Sequence, residues 1–296
     1  MLLLTPQHWQ DYELIDSGNF EKLERFGKII TARPEPQAIW DKSLSEQEWQ
    51  KMAHATFTRA KGVDKATEKG EWNIKKGVSE QWWINYAYKN VKIKMRLGLT
   101  SFKHVGIFPE QSENWDFMVD SISEMKTDKP QILNLFAYTG GASVIAKAAG
   151  ADVTHVDSVK QVITWSKENM EASGLDNIRW IVEDALKFVK REVKRGKKYQ
   201  GIILDPPAYG RGADGEKWIL EDNLNEMLKC CNELLDEKQG FLILNLYSMG
   251  FSALIAETLI NQIFKNSFSE KQMGELFLLD KFDKKLPLGV FWRGKK

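Results

Sequence analysis

The chain has 296 residues, of which 42 are Lys or Arg and 41 are Asp or Glu, so its formal net charge is +1. This length suffices for one large domain and an accessory one. No apolar run is long enough to span a bilayer, and Met1–Leu4 lacks the basic flank of a signal peptide, so we expect a cytoplasmic protein without a membrane partner. Cys230 and Cys231 are adjacent within a helical apolar pattern, which supports neither a disulfide framework nor a metal site.

Residues 1–105 are predicted to form a β-rich accessory domain whose charge is unevenly distributed. Residues 51–105 contain twelve Lys and Arg against four Asp and Glu, a net of +8, whereas residues 1–50 carry a net of −4. The cationic half also contains several Trp and Tyr residues. Basic side chains attract RNA phosphates and aromatic rings stack on unpaired bases, so RNA is a candidate partner.

A hairpin is predicted within this cationic half, with strands at 81–88 and 91–97 and a turn at Lys89-Asn90. In its second strand Lys92, Lys94 and Arg96 alternate with apolar residues, so one face is cationic and the other is buried. The alternative interpretation is an ordinary amphipathic strand whose lysines lie in solvent.

From residue 106 to residue 296 the pattern becomes an alternation of strands and helices, which predicts a second domain. Alternation on this scale indicates an α/β fold, a mainly parallel sheet with helices on both faces. The predicted strands lie near 131–136, 152–157, 178–182, 201–205, 240–246, 275–280 and 289–293. The predicted helices lie near 141–149, 159–173, 184–195, 216–236 and 251–265. The basic run Lys187–Lys198 is interpreted as a solvated helix face, with a phosphate contact as the alternative.

Each of the first three strands of this domain leads into a glycine turn or an acidic residue. The first strand leads into Thr139-Gly140-Gly141, where glycine lets the backbone approach a ligand. Asp157 ends the second strand, the position at which dinucleotide folds bind ribose hydroxyls. Asp184 follows the third strand and suits an adenine amino group. Taken singly, each feature also fits a tight turn, a solvated acid or a helix start.

The fourth strand ends in Asp205-Pro206-Pro207-Ala208-Tyr209. Proline has no amide hydrogen, so the sheet ladder stops here. The result is a rigid loop that presents carbonyls, an acid and an aromatic ring at the ligand edge of an α/β sheet. A plain strand stop with an incidental Asp is the alternative interpretation of this segment alone.

Together these motifs resemble class I S-adenosylmethionine-dependent methyltransferases, and specifically the group that includes bacterial large-subunit ribosomal RNA methyltransferases. The stretch His104–Gln111 is similar to the GxFxxQ segment of that group, and the resemblance covers about residues 100–296. It implies S-adenosylmethionine as cofactor and a Rossmann-like, seven-stranded sheet with helices on both faces and an antiparallel strand at its edge. The implied cofactor-binding residues are Phe108, Gln111, Phe136, Tyr138, Thr139, Gly140, Gly141, Ser143, Asp157, Ser158, Asp184 and Ala185. The implied catalytic residues are Asp205, Pro206, Pro207 and Tyr209.

The residue types at this edge distinguish between methylation chemistries. Methylation at carbon 5 of a pyrimidine usually requires a cysteine thiolate, and neither 205–207 nor 245–249 contains one. Nitrogen methylation fits better, with Asp205 or the Pro206 carbonyl accepting hydrogen bonds from the target amine and Tyr209 stacking on the base. Oxygen methylation stays open.

We therefore predict N-methylation of a ribosomal RNA base. The alternatives are a protein or small-molecule acceptor, or a cofactor-binding module without catalysis. An NAD enzyme is disfavoured because the glycine turn lacks GxGxxG. The oligomeric state is left open.

Overall fold

The structure, a computed structural model, describes residues 1–60, 69–212, 215–247 and 250–296. None of the helices in these ranges has the length and apolar character needed to cross a membrane. The elements of the first hundred residues are β1 (Leu2–Leu4), β2 (Tyr12–Gly18), β3 (Glu21–Phe26), β4 (Ile29–Pro34), α1 (Glu46–Met52), β5 (Ala55–Arg59), β6 (Gly70–Ile74), β7 (Gln81–Tyr88) and β8 (Val91–Gly98).

Strands β2 to β6 form a five-stranded sheet in chain order, antiparallel except between β4 and β5. A parallel pair needs a crossover connection, and α1 lies on that connection. Helix α1 begins at Ser45, whose side chain and that of Glu48 form a capping box. The prediction of a β-rich N-terminal region is confirmed, and α1 is an addition to it.

Strands β7 and β8 form the predicted hairpin, with Lys89 at its turn in a left-handed conformation (φ 50°). Side chains of β8 alternate as expected: those of Lys92 and Lys94 are exposed, and those of Ile93 and Met95 are buried. The hairpin packs along the helix that begins at residue 160, because the Lys94 backbone N–H donates to Ser173 Oγ at the far end of that helix, at 2.9 Å. The predicted cationic face is therefore present. The opposite face of the hairpin belongs to the apolar core that it shares with the main sheet.

The remaining elements alternate as predicted and are α2 (Ser112–Ser123), β9 (Gln131–Leu135), α3 (Gly141–Ala148), β10 (Asp152–Asp157), α4 (Lys160–Ala172), β11 (Arg179–Val182), α5 (Ala185–Lys194), β12 (Gly201–Leu204), β13 (Tyr209–Arg211), β14 (Lys217–Ile219), α6 (Leu220–Leu234), β15 (Phe241–Leu246), α7 (Ala253–Phe264), β16 (Glu270–Leu279) and β17 (Lys285–Lys295). A short 3₁₀ segment, Pro109–Gln111, precedes α2.

The main sheet has the order β1-β16-β17-β15-β12-β9-β10-β11. All seven predicted strands are present. The antiparallel strand, β17, lies between β16 and β15, so the expectation of an antiparallel strand at the edge of the sheet is wrong. The eighth strand, β1, pairs in parallel with β16 at the edge, with Leu2 opposite Gly274. One apolar core lies against α2 and α3, and the other against α5, α6 and α7, so both faces of the sheet are covered.

The first of these cores also contains residues of the N-terminal region, among them Tyr12, Phe26 and Met95. Together with β1 in the main sheet, this means that the first hundred residues pack closely on the rest of the chain. The division into domains at residues 105 and 106 stays a prediction.

Candidate active site

The register of the main sheet brings four predicted or newly found site residues into one row. Leu135 lies opposite Val156 and Leu204, and Leu204 lies opposite Leu244. The next residue of each strand is therefore at the same level, at the carboxyl edge. These residues are Phe136, Asp157, Asp205 and Asn245.

The turn after β9 has an unusual backbone. Phe136 and Tyr138 have positive φ angles of 56° and 48°, and Gly140 has a φ of 83°. Non-glycine residues rarely adopt this conformation, and it tends to occur at functional sites. A Cβ at Gly141 would lie 2.8 Å from a ring carbon of Trp115, so close packing against α2 explains the second glycine.

Asp157 holds this turn in place. Its carboxylate accepts hydrogen bonds from the backbone N–H groups of Tyr138 and Val159, both at 2.9 Å. Burial raises the pKa of Asp157, and these backbone hydrogen bonds oppose that rise. A carboxylate has about four lone-pair positions, so acceptor capacity is left for ligand hydroxyls. The strained turn and this enclosed acid fit the ribose end of the expected cofactor.

Thr139 and Ser143 are buried under the turn, and their side chains are engaged with the protein. Thr139 Oγ1 donates to the Gly106 carbonyl at 2.6 Å, and Ser143 Oγ lies 3.0 Å from Nδ1 of His155. Asn134 Nδ2 donates to the same Ser143 hydroxyl at 2.9 Å. These two side chains thus support the turn from below. Burial lowers the pKa of His155 to about 3, so its ring is neutral.

Phe108 and Gln111 follow Gly106, whose carbonyl accepts the hydrogen bond from Thr139. The Phe108 ring is 5.6 Å from the Tyr138 ring, and Gln111 Oε1 accepts from Asn114 Nδ2 at 2.9 Å. The GxFxxQ-like segment therefore lies against the turn after β9 through Gly106 and Phe108.

On the other side of Asp157, the predicted adenine residues begin α5. Asp184 caps this helix by accepting from the Lys187 N–H at 2.8 Å, and Ala185 is buried. Ser158 Oγ donates to the Arg211 carbonyl at 3.3 Å, which ties the Asp157 loop to the hairpin β13–β14. A groove of about 530 Å³ runs from Asp184 between α5 and β14.

The basic run on α5 is an exposed helix face, as predicted, and much of its charge is paired. Lys187 lies 3.0 Å from Glu216, Lys190 lies 2.8 Å from Glu226, and Arg191 lies 2.5 Å from Glu183.

The Asp205 loop is held by two residues that the sequence interpretation missed. Asn245 Nδ2 donates to Asp205 Oδ1 at 2.7 Å, and Trp218 Nε1 donates to the Pro207 carbonyl at 2.8 Å. The Trp218 ring also packs against Phe136, with centroids 4.7 Å apart. Asn245 could have been found by its place at the end of a strand next to that of Asp205, whereas nothing local marks Trp218.

Asp205 is half-buried, and burial raises the pKa of its carboxyl to about 6. Within the described residues, Asn245 Oδ1 is buried and has no hydrogen-bond donor, so Asp205 and Asn245 together retain acceptor capacity. Tyr209 is 51 % exposed, and its hydroxyl accepts from Arg211 Nε at 3.2 Å. An acid, an amide oxygen and an open aromatic ring thus share the carboxyl edge.

Comparison with known proteins agrees with this arrangement. The family model described as S-adenosylmethionine-dependent methyltransferase matches residues 68–271. The crystal structure of a SAM-dependent methyltransferase from Agrobacterium tumefaciens is 37% identical in sequence, with a TM-score of 0.90 over 100% of this chain and 93% of that one. This similarity confirms the predicted fold class.

Two curated relatives are ribosomal RNA large subunit methyltransferases. Methyltransferase K/L of Shewanella frigidimarina is 32% identical over 156 residues, which is 51% of this chain and 21% of the relative. Methyltransferase I of Aeromonas salmonicida is 29% identical over 120 residues, which is 40% of this chain and 29% of the relative. The matched segments thus span less than a third of either relative. Because the family model covers well over half of the chain, the protein belongs to the S-adenosylmethionine-dependent methyltransferases and uses S-adenosylmethionine as its cofactor.

Proposed function

We propose that the protein methylates a nitrogen atom of a base in ribosomal RNA, with Asp205 as the group that holds the acceptor nitrogen. The observation that carries this proposal is the half-buried Asp205 carboxylate, which Asn245 orients at the carboxyl edge of the sheet. An amino group has two N–H bonds to donate, and Asp205 with Asn245 Oδ1 offers oxygen acceptors for them. The comparison of ribosomal RNA nucleosides from a deletion strain and its parent by mass spectrometry tests the proposal directly.

In this mechanism the cofactor supplies an activated methyl group on a positively charged sulfur. The protein contributes position and exclusion of water. Asp157 would hold the ribose, with Asp184 and Ala185 at the adenine and the turn 136–141 alongside. Asp205 would accept a hydrogen bond from the acceptor nitrogen and take the proton that this nitrogen loses. The exposed Tyr209 ring would stack on the base, which must leave its helix to reach the edge.

Methylation at carbon through a cysteine adduct is disfavoured by where the cysteines lie. Cys230 and Cys231 are buried near the end of α6. Their side chains belong to the apolar core between this helix and the sheet. Burial also raises the pKa of both thiols, which keeps them protonated and poorly nucleophilic. A protein or small-molecule acceptor is the competing proposal, and a nucleoside profile that does not change in the deletion strain would favour it.

The first prediction concerns the ribose site. Replacing Asp157 with Ala should weaken binding of both S-adenosylmethionine and S-adenosylhomocysteine by about 1–3 kcal/mol, since hydrogen bonds to a charged group are lost. Calorimetry measures this effect. Asp152→Ala is the matched control, because Asp152 begins the same strand at the opposite edge and pairs only with Lys147 among cations of the described chain. Equal affinities in the two variants would remove Asp157 from the cofactor site.

The second prediction is a pH dependence of methyl transfer. The carboxylate form of Asp205 accepts the proton, and its pKa is raised to about 6. The value of kcat/KM should therefore fall as the pH drops below about 6, by roughly tenfold per pH unit. Rate measurements on an unmodified large-subunit ribosomal RNA transcript at several pH values would show this fall in kcat/KM. A rate that stays level down to pH 5 would contradict the assigned role.

The third prediction concerns RNA binding by the hairpin β7–β8. Helix α4 starts at the carboxyl edge and ends at the amino edge, so Lys94, next to Ser173, lies on the side away from Asp205. We therefore propose that the hairpin binds RNA flanking the target, where the exposed Trp83 ring lies 5.3 Å from the Lys94 ammonium. The joint variant Lys92→Glu and Lys94→Glu should lower RNA affinity and reduce the salt slope by about one unit per lost phosphate contact.

The matched control reverses Lys265 and Lys271, which are exposed near α7 on the other face of the sheet. Binding titrations of the same transcript at several salt concentrations compare the two double variants. If both pairs change affinity equally, the hairpin has no specific role in binding RNA.

A further inference from the structure

The stretch that joins β8 to the 3₁₀ segment carries an exposed aromatic ring that the proposed mechanism does not use. Phe102 is 43% exposed, whereas its neighbour Lys103 is buried. A single exposed apolar side chain is ordinary on a protein surface. Phe102 differs from such a side chain in its position, in the rigidity of its backbone and in the charge beside its ring.

Phe102 lies toward the carboxyl edge of the main sheet. Strand β8 runs along α4 from the end of that helix toward its start, because its backbone bonds first to Ser173 and, two residues later, to Trp165, both at 2.9 Å. Helix α4 follows β10 and starts at the carboxyl edge, so the residues after β8 continue in that direction. Beyond Phe102, the Gly106 carbonyl accepts from Thr139 in the turn after β9, at 2.6 Å. Phe102 is therefore close to the edge of the sheet that holds the candidate active site.

The backbone around Phe102 is held by two strands of the N-terminal sheet. Strand β6 donates from a backbone N–H to the Ser101 carbonyl at 3.0 Å, and from Trp72 Nε1 to the Phe102 carbonyl at 3.1 Å. Strand β4 donates from Arg33 Nη1 to the Lys103 carbonyl at 3.3 Å. The carbonyls of three consecutive residues are thus fixed while the ring lies in solvent. A ligand that stacks on this ring has little backbone freedom to remove.

A cation without an acidic partner lies beside the ring. The Lys69 ammonium is 6.0 Å from the centroid of Phe102, and Lys69 is exposed and has no ion pair among the described residues. A ring with a neighbouring cation suits single-stranded RNA, because the ring stacks on a base and the ammonium pairs with a phosphate. A second pair of this kind, Trp83 with Lys94 at 5.3 Å, lies on the hairpin β7–β8 nearer the amino edge.

We propose that Phe102 and Lys69 bind one unpaired nucleotide of the RNA, on the path from the hairpin β7–β8 to the carboxyl edge. The ring stacks on the base, and the ammonium contacts the neighbouring phosphate. The site holds RNA next to the nucleotide whose base reaches Asp205. This inference rests on the proposed function, because it takes RNA as the acceptor.

The surroundings favour RNA over a protein as the occupant. Trp83 and Phe102 are the only exposed large apolar side chains among residues 51–60 and 69–111. A protein interface of ordinary size needs a contiguous, fully buried apolar core, which two single rings do not supply. Two rings that each have a lysine beside them suit the bases and phosphates of one strand.

Binding of a labelled oligouridine by the full chain, followed by fluorescence anisotropy at several salt concentrations, tests the proposal. Phe102→Ala should weaken binding about five- to a hundredfold, the usual effect of losing one stacked base, and should leave the salt slope as it is. Phe102→Tyr keeps the ring and should bind as tightly as the wild type. Lys69→Gln should instead reduce the slope by roughly 0.7 units, the value for one phosphate contact on a single strand.

Phe282→Ala is the matched control. Phe282 is 42% exposed, and Lys284 Nζ lies 5.9 Å from its ring, so the pair has the same geometry as Phe102 with Lys69. This pair belongs to the turn between β16 and β17, and two carboxylates, one of them that of Asp16 at 2.7 Å, already neutralise its ammonium. The affinity of Phe282→Ala for oligouridine should therefore equal that of the wild type.

Equal affinity of Phe102→Ala and the wild type overturns the inference, and so does an equal loss in Phe282→Ala. Binding of a ribosomal RNA transcript without binding of oligouridine overturns it as well, since the site is proposed for an unpaired nucleotide. These results leave the proposed function standing, because the nucleoside profile of the deletion strain does not depend on them. A wild type that binds neither RNA contradicts the proposed function and this inference together.

Discussion

Replacing Asp205 with Asn is expected to lower methyl transfer about 10²- to 10⁴-fold, the usual range for loss of a group that takes a proton in the transition state. Asn keeps the size of the side chain and leaves Asn245 in place, but it cannot accept a proton. Affinity for S-adenosylhomocysteine should change little, because this product is neutral and its expected contacts lie at the turn after β9 and at Asp157. Single-turnover assays with a labelled methyl group measure the first quantity, and calorimetry measures the second.

Asp222→Asn is a suitable control, because it makes the same chemical change at an exposed position in the first turn of α6. It should leave the rate as it is. A rate for Asp205→Asn within a fewfold of the wild type would mean that another group holds the acceptor nitrogen.

Removing the Arg33 side chain is expected to destabilise the fold by about 3–5 kcal/mol, the cost of leaving a buried charge without its partner. Glu24 is fully buried, and it accepts from Arg33 Nε at 2.6 Å and from the Tyr12 hydroxyl at 2.9 Å. Arg33→Ala leaves this carboxylate with Lys22 as its only cation within the described residues. Urea unfolding monitored by tryptophan fluorescence gives the change in free energy.

Arg25→Ala is the matched control on the adjacent strand, because the Arg25 side chain is about a third exposed and pairs with Glu13 at 3.3 Å. Without Arg25, the Glu13 carboxylate still has access to water, so this variant should lose far less stability. Similar losses in the two variants would show that burial of the Glu24–Arg33 pair has no special energetic weight.

The same pair gives the stability a dependence on pH. The pKa of Glu24 is lowered from its ordinary value of 4.5 to about 2, with Arg33 and Lys22 outweighing the effect of burial. A lowered pKa in the folded state means that the stabilisation is complete above pH 4.5 and is lost as the pH falls toward 2.

The sequence was informative wherever a local pattern fixes structure. Each strand of the main sheet except β1 was located. Asp157 and Asp205 were correctly placed at the carboxyl ends of β10 and β12, the two parallel strands that flank β9. The helix predicted for residues 216–236 begins only at Leu220, since Lys217–Ile219 pairs with Tyr209–Arg211 as a short ribbon. That ribbon depends on contacts across the Asp205 loop, which periodicity does not report.

The residues that the sequence did not indicate are those brought to the site by tertiary structure. Trp218 and Asn245 come from two separate segments and reach the Asp205 loop only when the sheet is assembled. The lysines of β8 illustrate the reverse case: their alternation was correctly predicted, but their position toward the amino edge depends on how the hairpin packs on α4. Composition identified a cationic surface and could not tell which side of the molecule it faces.

Strand β1 has a consequence for the order of events during synthesis. Residues 2–4 leave the ribosome long before their partner β16, which lies far downstream in the chain. A Cβ at Gly274 would overlap the Leu2 backbone, so β1 sits in a slot that exists only once β16 has folded. Until β1 has paired with it, the backbone edge of β16 is open to pairing with another chain. During synthesis and folding, residues 2–4 therefore compete with neighbouring molecules for that edge.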